Sequence, residues 1–223
     1  MTTMGARRFP SAAQAAAEDL EQLRKIAVAL VSDNMHRGTG SLGVQPYHRP
    51  SSATMAGTAV TVRSRGGDNL LTLRAFDYCR PGDVLVIDAG GDLNNAVVGG
   101  IITAAAAMLG LAGVVIDGAI RDVAEIRERD FPVYARGANH RGPYKNGPGE
   151  INVPVSIGGM VVNPGDILIG DQDGLLAFPA SEAKALIAKA LAQQAAEERQ
   201  MEEIRQGRWD RSFVAGLEAK AIN

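Results

Sequence analysis

An arginine and an aspartate stand side by side where a predicted strand gives way to a helix, and a glutamate follows three residues later. They are Arg121, Asp122 and Glu125, in the stretch DGAIRDVAEIRERDFPVYARG. Side chains three residues apart share a helix face, so Asp122 and Glu125 could address one hard cation such as Mg²⁺ or Mn²⁺. Arg121 offers a planar fork of donors suited to a carboxylate. The alternative is that Asp122 caps the helix and Arg121 pairs with a surface acid.

Two glycine pairs precede this stretch, in DAGGDLNNAVVGGIITAAAA. We expect Gly90, Gly91, Gly99 and Gly100 to lie close to a helix start, where unpaired backbone N–H groups and the helix dipole favour a carboxylate or phosphate. Glycines also serve tight turns and close packing, so the cluster alone leaves both interpretations open.

Other residue types give weaker signals. His36, His48 and His140 lie in unrelated contexts, which argues against a zinc site or a Ser-His-Asp triad. The polar loop RGANHRGPYKNGPGEINVPV could close over a site or against another subunit, or could simply be a surface loop. Lys145 lies in this loop, and the other lysines fall in predicted helices or exposed loop, so Schiff-base chemistry is not required.

The elements that must position these residues indicate an α/β fold. The segments at 81–92, 113–122 and 164–174 each run an apolar stretch into Asp and Gly, and continuous apolar runs are typical of strands covered on both faces. A small-residue-rich stretch between the first two, at 94–111, has the length of a helix and predicts a strand–helix–strand unit. Residues 153–162 and 174–179 are further predicted strands.

Helices are predicted at both ends of the chain. One runs from Ala12 to about His36, and the other covers 181–207, with Ser181 as its N-cap and Gly207 at its end. We expect a single domain over 1–223, with a core at about 20–180 and a C-terminal helical arm at about 181–223.

The composition of the chain limits the binding partners and the cellular compartment that we expect. The formal charge of −2 gives no field to attract nucleic acid or an anionic membrane, and no apolar run is long enough to span a bilayer. Cys79 is the single cysteine, which precludes an intrachain disulfide and is consistent with a reducing compartment. A cytoplasmic protein is therefore expected.

Most of the chain resembles the RraA-like family, which includes the class II pyruvate aldolases acting on 4-hydroxy-4-methyl-2-oxoglutarate and 4-carboxy-4-hydroxy-2-oxoadipate. The resemblance is carried by ALVSDNM, GTAVTV, PGDVLVIDAGGDLNNAVVGG, GVVIDGAIRD and GEINVPVSIGGMVVNPGDILIGDQDGLLAFP. It implies a layered β/β/α, swivelling-domain-like fold with N- and C-terminal helices.

The resemblance also implies roles for individual residues. Catalytic members carry either an Asp, or a Gly with an added downstream acid, twenty residues before an Arg-Asp pair. Gly100, Arg121-Asp122 and Glu125 match the second pattern. By this match Asp122 binds Mg²⁺ or Mn²⁺ directly, Glu125 supports a metal-bound water, and Arg121 contacts the pyruvyl part of the substrate. The backbone amides that receive the pyruvyl carboxylate would be those of Gly99, Gly100, Ile101 and Ile102.

The expected reaction is retro-aldol cleavage of a 4-hydroxy-2-oxo acid that releases pyruvate, with oxaloacetate decarboxylation as a side activity. The general base would be water assisted by Glu125 or by a nearby acid such as Asp92. The family forms trimers and hexamers, so a homotrimer or homohexamer is implied. Its non-enzymatic branch, which inhibits an RNA-degrading endonuclease, lacks the complete Arg-Asp pattern and supplies the alternative function.

Overall fold

A computed structural model of the protein describes residues 4–51, 53–214 and 216–217. The end of the predicted C-terminal arm, with Lys220, lies outside these residues. Within them, the α-helices are α1 (Ala17–Leu23), α2 (Val28–Asp33), α3 (Leu70–Ala75), α4 (Gly100–Met108), α5 (Val123–Arg127) and α6 (Ala183–Arg205). The strands are β1 (Gln45–Pro46), β2 (Met55–Ser64), β3 (Asp83–Asp88), β4 (Ala96–Val98), β5 (Gly113–Ile120), β6 (Val133–Ala138), β7 (Gly149–Ile151), β8 (Val155–Ile157), β9 (Met160–Val162), β10 (Ile167–Gly170) and β11 (Leu175–Phe178).

A mixed sheet organises the molecule. Its strand order is β1-β6-β5-β3-β2-β10-β11, with β4 added beside β5 and β7 added beside β2. The central strands β2, β3, β5 and β6 pair in parallel, whereas β10 and β11 pair antiparallel at one side. The predicted strand–helix–strand unit is present, because α4 joins the neighbouring parallel strands β3 and β5.

Alternate residues of the central strands pack into two different layers, as side chains on a strand point to opposite faces. Leu85 and Ile87 of β3 pack with residues of the α3, α4 and α5 side, whereas Val84 and Val86 pack with the separate β8-β9 hairpin. The apolar runs are therefore covered on both faces, which confirms the predicted layered α/β fold.

A second group of helices covers the β10-β11 side of the sheet. Residues of α1, α2 and α6 form one apolar cluster with β10 and β11. The prediction of one helix from Ala12 to His36 was wrong, because the chain breaks between α1 and α2. The Asp171 carboxylate accepts a 2.8 Å hydrogen bond from the Val28 N–H and so caps α2 at the break.

The C-terminal helix is present, but α6 (Ala183–Arg205) begins and ends two residues inside the predicted range 181–207. A 3₁₀ turn, Ala180–Glu182, precedes α6, and Ser181 provides no side-chain cap. At the other end Gly207 adopts a left-handed conformation (φ 71°) and donates to the Ile204 carbonyl, as expected for the residue after a helix end. Among the described residues, none of the helices has the length and apolar character needed to cross a bilayer.

Candidate active site

The strand β4 brings the two candidate motifs together. Its Val98 pairs with Ile120 at the end of β5, and the Arg121 N–H donates to the Val98 carbonyl over 3.0 Å. Gly99 therefore lies beside Arg121 immediately after the paired residues. This short strand was missed in the sequence, where 94–111 was predicted to be helical.

Asp122 caps the neighbouring helix rather than its own. Its carboxylate Oδ2 accepts a 2.8 Å hydrogen bond from the Gly100 N–H at the first residue of α4, while α5 receives no side-chain cap from Asp122. The backbone of Asp122 is left-handed (φ 61°, ψ 36°), a conformation that Asp tolerates better than most residues but at a cost of about 1 kcal/mol or more. Capping of α5 therefore does not explain why an aspartate stands at this position.

Gly99 gives the Arg121-Asp122 pair its room. A Cβ at position 99 would lie 2.6 Å from Asp122 Oδ2 and 3.0 Å from Arg121 Cγ. The Arg121 Nε atom is 3.7 Å from Asp122 Oδ2, and both side chains are 41% exposed. The guanidinium and the carboxylate thus lie together at the surface of the pocket, accessible to a ligand.

Gly100 gives room to a second carboxylate. A Cβ at this position would overlap Glu125 Oε2 and lie 3.0 Å from Glu125 Cδ. Arg129 forms an ion pair with the same carboxylate and also donates to the Gly100 carbonyl over 3.2 Å. The two acids predicted to act together, Asp122 and Glu125, thus both lie against the first residue of α4.

The start of α4 presents backbone N–H groups toward the Arg121-Asp122 pair. The Gly100 N–H is taken by Asp122, and the N–H groups of Ile101 and Ile102 belong to the first helical turn, which has no intrahelical acceptors. Together with the helix dipole these groups favour a carboxylate beside Arg121.

A pocket of about 160 Å³ opens at this point. Its lining includes Gly99, Ile101, Ile102, Arg121 and Asp122, which are five of the seven residues predicted for the site. Gly100 and Glu125 are not part of this lining. They lie next to it, through the contacts described above.

Two residues that the sequence did not indicate, Asn69 and Lys145, also line the pocket. Asn69 is only 4% exposed; its Nδ2 donates to the Val97 carbonyl over 3.2 Å, while its Oδ1 has no partner among the described residues. Lys145 lies in an exposed loop, as predicted, but that loop contributes to the pocket wall together with Pro143. Lys145 therefore brings a second cationic residue to the wall of the pocket that Arg121 also lines.

A buried carboxylate holds the loop in place. Asp68 is fully buried, and its Oδ2 accepts hydrogen bonds from the Asn146 and Gly147 N–H groups over 2.7 and 3.0 Å. The Asn69 N–H also donates to the Tyr144 carbonyl over 3.0 Å. The loop therefore forms one wall of the pocket while much of it lies at the surface.

Some residues that were expected to lie at the site are placed elsewhere. Gly90 and Gly91 line a different depression with Asp88, Asp117 and Arg136, so the prediction that they join Gly99 and Gly100 was wrong. The reason is local: Gly91 donates to the Asp117 carbonyl and both glycines have positive φ, as a turn after β3 requires.

The candidate acid Asp92 also lies elsewhere, as does His48, one of the three histidines. Asp92 lies against the Gly66–Gly67 turn and accepts hydrogen bonds from Asn94, away from the pocket lining. His48 is buried beside the Val133 backbone, and this burial lowers its pKa.

The carboxylates of Asp122 and Glu125 are the candidate ligands for a divalent cation. Within the part of the chain that the structure describes, no group of three His, Cys, Asp or Glu side chains is arranged to hold a metal ion. Mg²⁺ and Mn²⁺, however, take oxygen ligands, and Mg²⁺ is commonly held by one or two carboxylates with water and substrate completing its shell. The pair of Asp122 and Glu125 beside an open pocket fits that requirement.

Comparison with known proteins places the chain in a family. The family model described as RraA-like, Aldolase/RraA, matches residues 28–177. A Halalkalibacterium halodurans protein provisionally named 4-hydroxy-4-methyl-2-oxoglutarate aldolase is 38% identical over 186 residues, which cover 83% of this chain and 88% of that protein.

Solved structures agree with this assignment. The Streptomyces coelicolor protein RraAS2, described as an unusual member of the RNase ES inhibitor RraA protein family, superimposes with a TM-score of 0.75 at 26% identity, covering 84% of this chain and 97% of that one. The RNA-processing inhibitor RraA from Thermus thermophilus gives a TM-score of 0.62 at 34% identity, over 69% of this chain and 92% of its own. The chain belongs to the RraA-like family.

Proposed function

We propose that this protein is a divalent-metal-dependent lyase that cleaves a 4-hydroxy-2-oxo acid by a retro-aldol reaction and releases pyruvate. The observation that carries the proposal is the meeting of Arg121, Asp122 and Glu125 at the start of α4. In the first family pattern, an Asp stands at the position of Gly100. Here the Glu125 carboxylate occupies the volume that a side chain at Gly100 would need, so it can take the place of that Asp. Relatives that carry the aldolase name support the same reaction class.

Substrate binding would use both ends of the pocket. The carboxylate of the 2-oxo acid would accept from the Ile101 and Ile102 N–H groups at the α4 start and pair with Arg121. Lys145 would meet a second, distal carboxylate. Leu73 and Ile101 provide apolar surface for a small alkyl substituent on C4. This combination favours 4-hydroxy-4-methyl-2-oxoglutarate over the 4-carboxy-4-hydroxy-2-oxoadipate type, which carries an additional carboxylate.

Asp122 would hold Mg²⁺ or Mn²⁺ directly, and Glu125 would hold it through water. When bound, such an ion supplies Lewis acidity at the 2-oxo group. Asp122 already has one oxygen engaged with the Gly100 N–H, which fixes the direction of its carboxylate. Glu125 is likewise oriented by Arg129.

The bond changes are those of a retro-aldol cleavage. The 4-hydroxyl loses its proton, the C3–C4 bond breaks, C4 becomes a carbonyl, and the electron pair passes into the enolate of pyruvate. Arg121 stabilises the negative enolate oxygen as it forms, a preorganised contact that typically contributes 10²–10³-fold, or about 3 to 4 kcal/mol. Protonation at C3 then gives pyruvate. The proton acceptor would be water assisted by Glu125, because Asp92 lies outside the pocket lining.

Oxaloacetate decarboxylation would follow from the same arrangement, because loss of CO₂ from oxaloacetate produces the same enolate beside Arg121.

We further propose a homotrimeric or homohexameric assembly. Ile101 and Met108, one on each end of α4, are both 83% exposed, so this helix presents an apolar face next to the pocket.

The test is a pyruvate-release assay coupled to NADH oxidation over a panel of 2-oxo acids. Activity should require Mg²⁺ or Mn²⁺, disappear after EDTA treatment and desalting, and return on adding the metal. Arg121→Ala should reduce kcat/KM by about 10²–10³-fold with an unchanged melting temperature. Full activity of the metal-free protein would refute the proposal.

The alternative function is a non-catalytic regulator of an RNA-degrading endonuclease. It is favoured by the similarity to the Thermus thermophilus and Streptomyces coelicolor proteins. A stoichiometric endonuclease complex, combined with no pyruvate release from any 4-hydroxy-2-oxo acid or from oxaloacetate, would support it.

A further inference from the structure

We propose that Arg129 is a positioning residue that fixes the Glu125 carboxylate for cation binding, an inference that rests on the proposed function. Glu125 lies on the five-residue helix α5, and its side chain is 53% exposed. A half-exposed glutamate has several torsions free to rotate, so holding one orientation requires a partner.

The guanidinium of Arg129 reaches both helices that form the site. Its Nη2 donates to Glu125 Oε1, one turn earlier on the chain. Its Nη1 donates to the Gly100 carbonyl over 3.2 Å and to Thr103 Oγ1 over 3.3 Å, both in the first turn of α4. One planar group therefore ties the Glu125 carboxylate to the start of α4.

Arg129 is itself held at its backbone. Its N–H donates to the Ile126 carbonyl over 3.1 Å, and its carbonyl accepts from the Arg49 N–H over 3.0 Å. Ile126 is completely buried in the core cluster on the helix side of the sheet. The backbone that carries the side chain is thus tied to the rigid part of the protein, and the hydrogen bonds of the guanidinium to Glu125, Gly100 and Thr103 give it a defined position.

The contact also selects which oxygen of Glu125 is available. Arg129 occupies Oε1, whereas Oε2 is the oxygen nearest to the position that a Cβ on Gly100 would take. Oε2 therefore faces the first residue of α4, where the Asp122 carboxylate is bound to the Gly100 N–H. With this orientation, a cation held by Asp122 would meet a fixed oxygen of Glu125 rather than a rotating side chain.

Positioning and simple charge predict opposite results when Arg129 is neutralised. By Coulomb's law, removal of a positive charge near a cation site strengthens cation binding. If Arg129 positions Glu125, its loss weakens binding, and the loss of such supporting contacts typically costs 10–100-fold in metal affinity. The direction of the change in cation affinity therefore distinguishes positioning from simple charge.

The experiment measures Mn²⁺ binding to the metal-free protein by electron paramagnetic resonance, without substrate. Arg129→Met should weaken Mn²⁺ binding by about ten-fold. Arg127→Met is the matched control, because Arg127 lies two residues earlier, at the end of α5, and carries the same charge but stacks over the Tyr47 ring at 6.0 Å. It should leave binding unchanged or slightly tighter. Arg129→Met with unchanged or tighter binding would overturn the inference.

Two further variants distinguish failure of the inference from failure of the proposed function. In a Glu125→Gln background, Arg129→Met should cause no additional loss of Mn²⁺ affinity, whereas a general structural role would give additive losses. Wild-type protein that binds no Mn²⁺, or that binds equally well after Asp122→Asn, would overturn the metal site itself. Binding that depends on Asp122 but not on Arg129 would refute only the role of Arg129.

Discussion

The absence of a side chain at Gly99 is predicted to be essential for activity and not for folding. The backbone of Gly99 is extended (φ −149°, ψ −169°), a conformation open to any residue. In Gly99→Ala the new Cβ would lie 2.6 Å from Asp122 Oδ2, and ordinary contact begins at 3.4 Å, so the carboxylate must retreat by about 0.8 Å. Since misplacement by about 1 Å can cost 10²-fold, kcat/KM should fall by about 10²-fold, or about 2.7 kcal/mol.

The stability cost should be small. The nearest obstructing atom is the end of the flexible Asp122 side chain, and Arg121 Cγ, at 3.0 Å, needs to move by only a few tenths of an ångström. The main loss is the hydrogen bond from the Gly100 N–H, worth about 1 kcal/mol. Pyruvate release at saturating Mg²⁺ and thermal unfolding would be measured on the same samples. Gly38→Ala is the control, because its Cβ would meet nothing closer than 4.0 Å and its φ is not positive. Wild-type kcat/KM in Gly99→Ala would refute the role given to Asp122, and an unfolded variant would show the contact to be structural.

Two further outcomes are expected. Gly100→Asp should be inactive because its side chain overlaps Glu125. Gly100→Asp combined with Glu125→Ala should recover Mn²⁺-dependent pyruvate release. A double variant as inactive as the single one would contradict the idea that the two acids can replace each other. The hydrogen bond from Arg7 lowers the pKa of Glu150 from 4.5 to about 2, so this carboxylate contributes stability above pH 4.5 that is lost as the pH falls toward 2. Glu150→Gln should therefore cost about 2 kcal/mol at pH 7, with the difference narrowing below pH 4.5 in urea unfolding curves; a constant difference would count against this assignment.

The sequence was most informative where the chemistry lies in contiguous motifs. Arg121 and Asp122 follow an apolar run directly, and Gly99 and Gly100 precede a helical pattern, so both groups could be assigned to strand and helix ends. Parallel neighbouring strands then place such ends at one edge of a sheet. The pairing that joins them could not be foreseen, because β4 has three residues and is too short to show a period of two.

Contacts between distant segments were beyond pattern analysis. The position of Lys145 depends on the Asp68 carboxylate, which binds the backbone at 146 and 147, nearly eighty residues away. Asn69 is placed by the same neighbourhood and shows no periodic signal. The break between α1 and α2 has a similar cause, since the carboxylate that caps α2 comes from Asp171. In each case a single buried or capping acid decides the local structure.

The way in which Asp68 anchors the 139–148 loop bears on how the pocket could be redesigned. Anchoring is through main-chain N–H groups, so it does not depend on which side chains the loop carries at Pro143 and Lys145. Those two positions can therefore be varied without removing the buried attachment. A small library at 143 and 145 could be screened against 2-oxo acids with neutral, acidic or bulky C4 groups. Such variants would change the specificity of the pocket while the residues at the start of α4 stay unchanged.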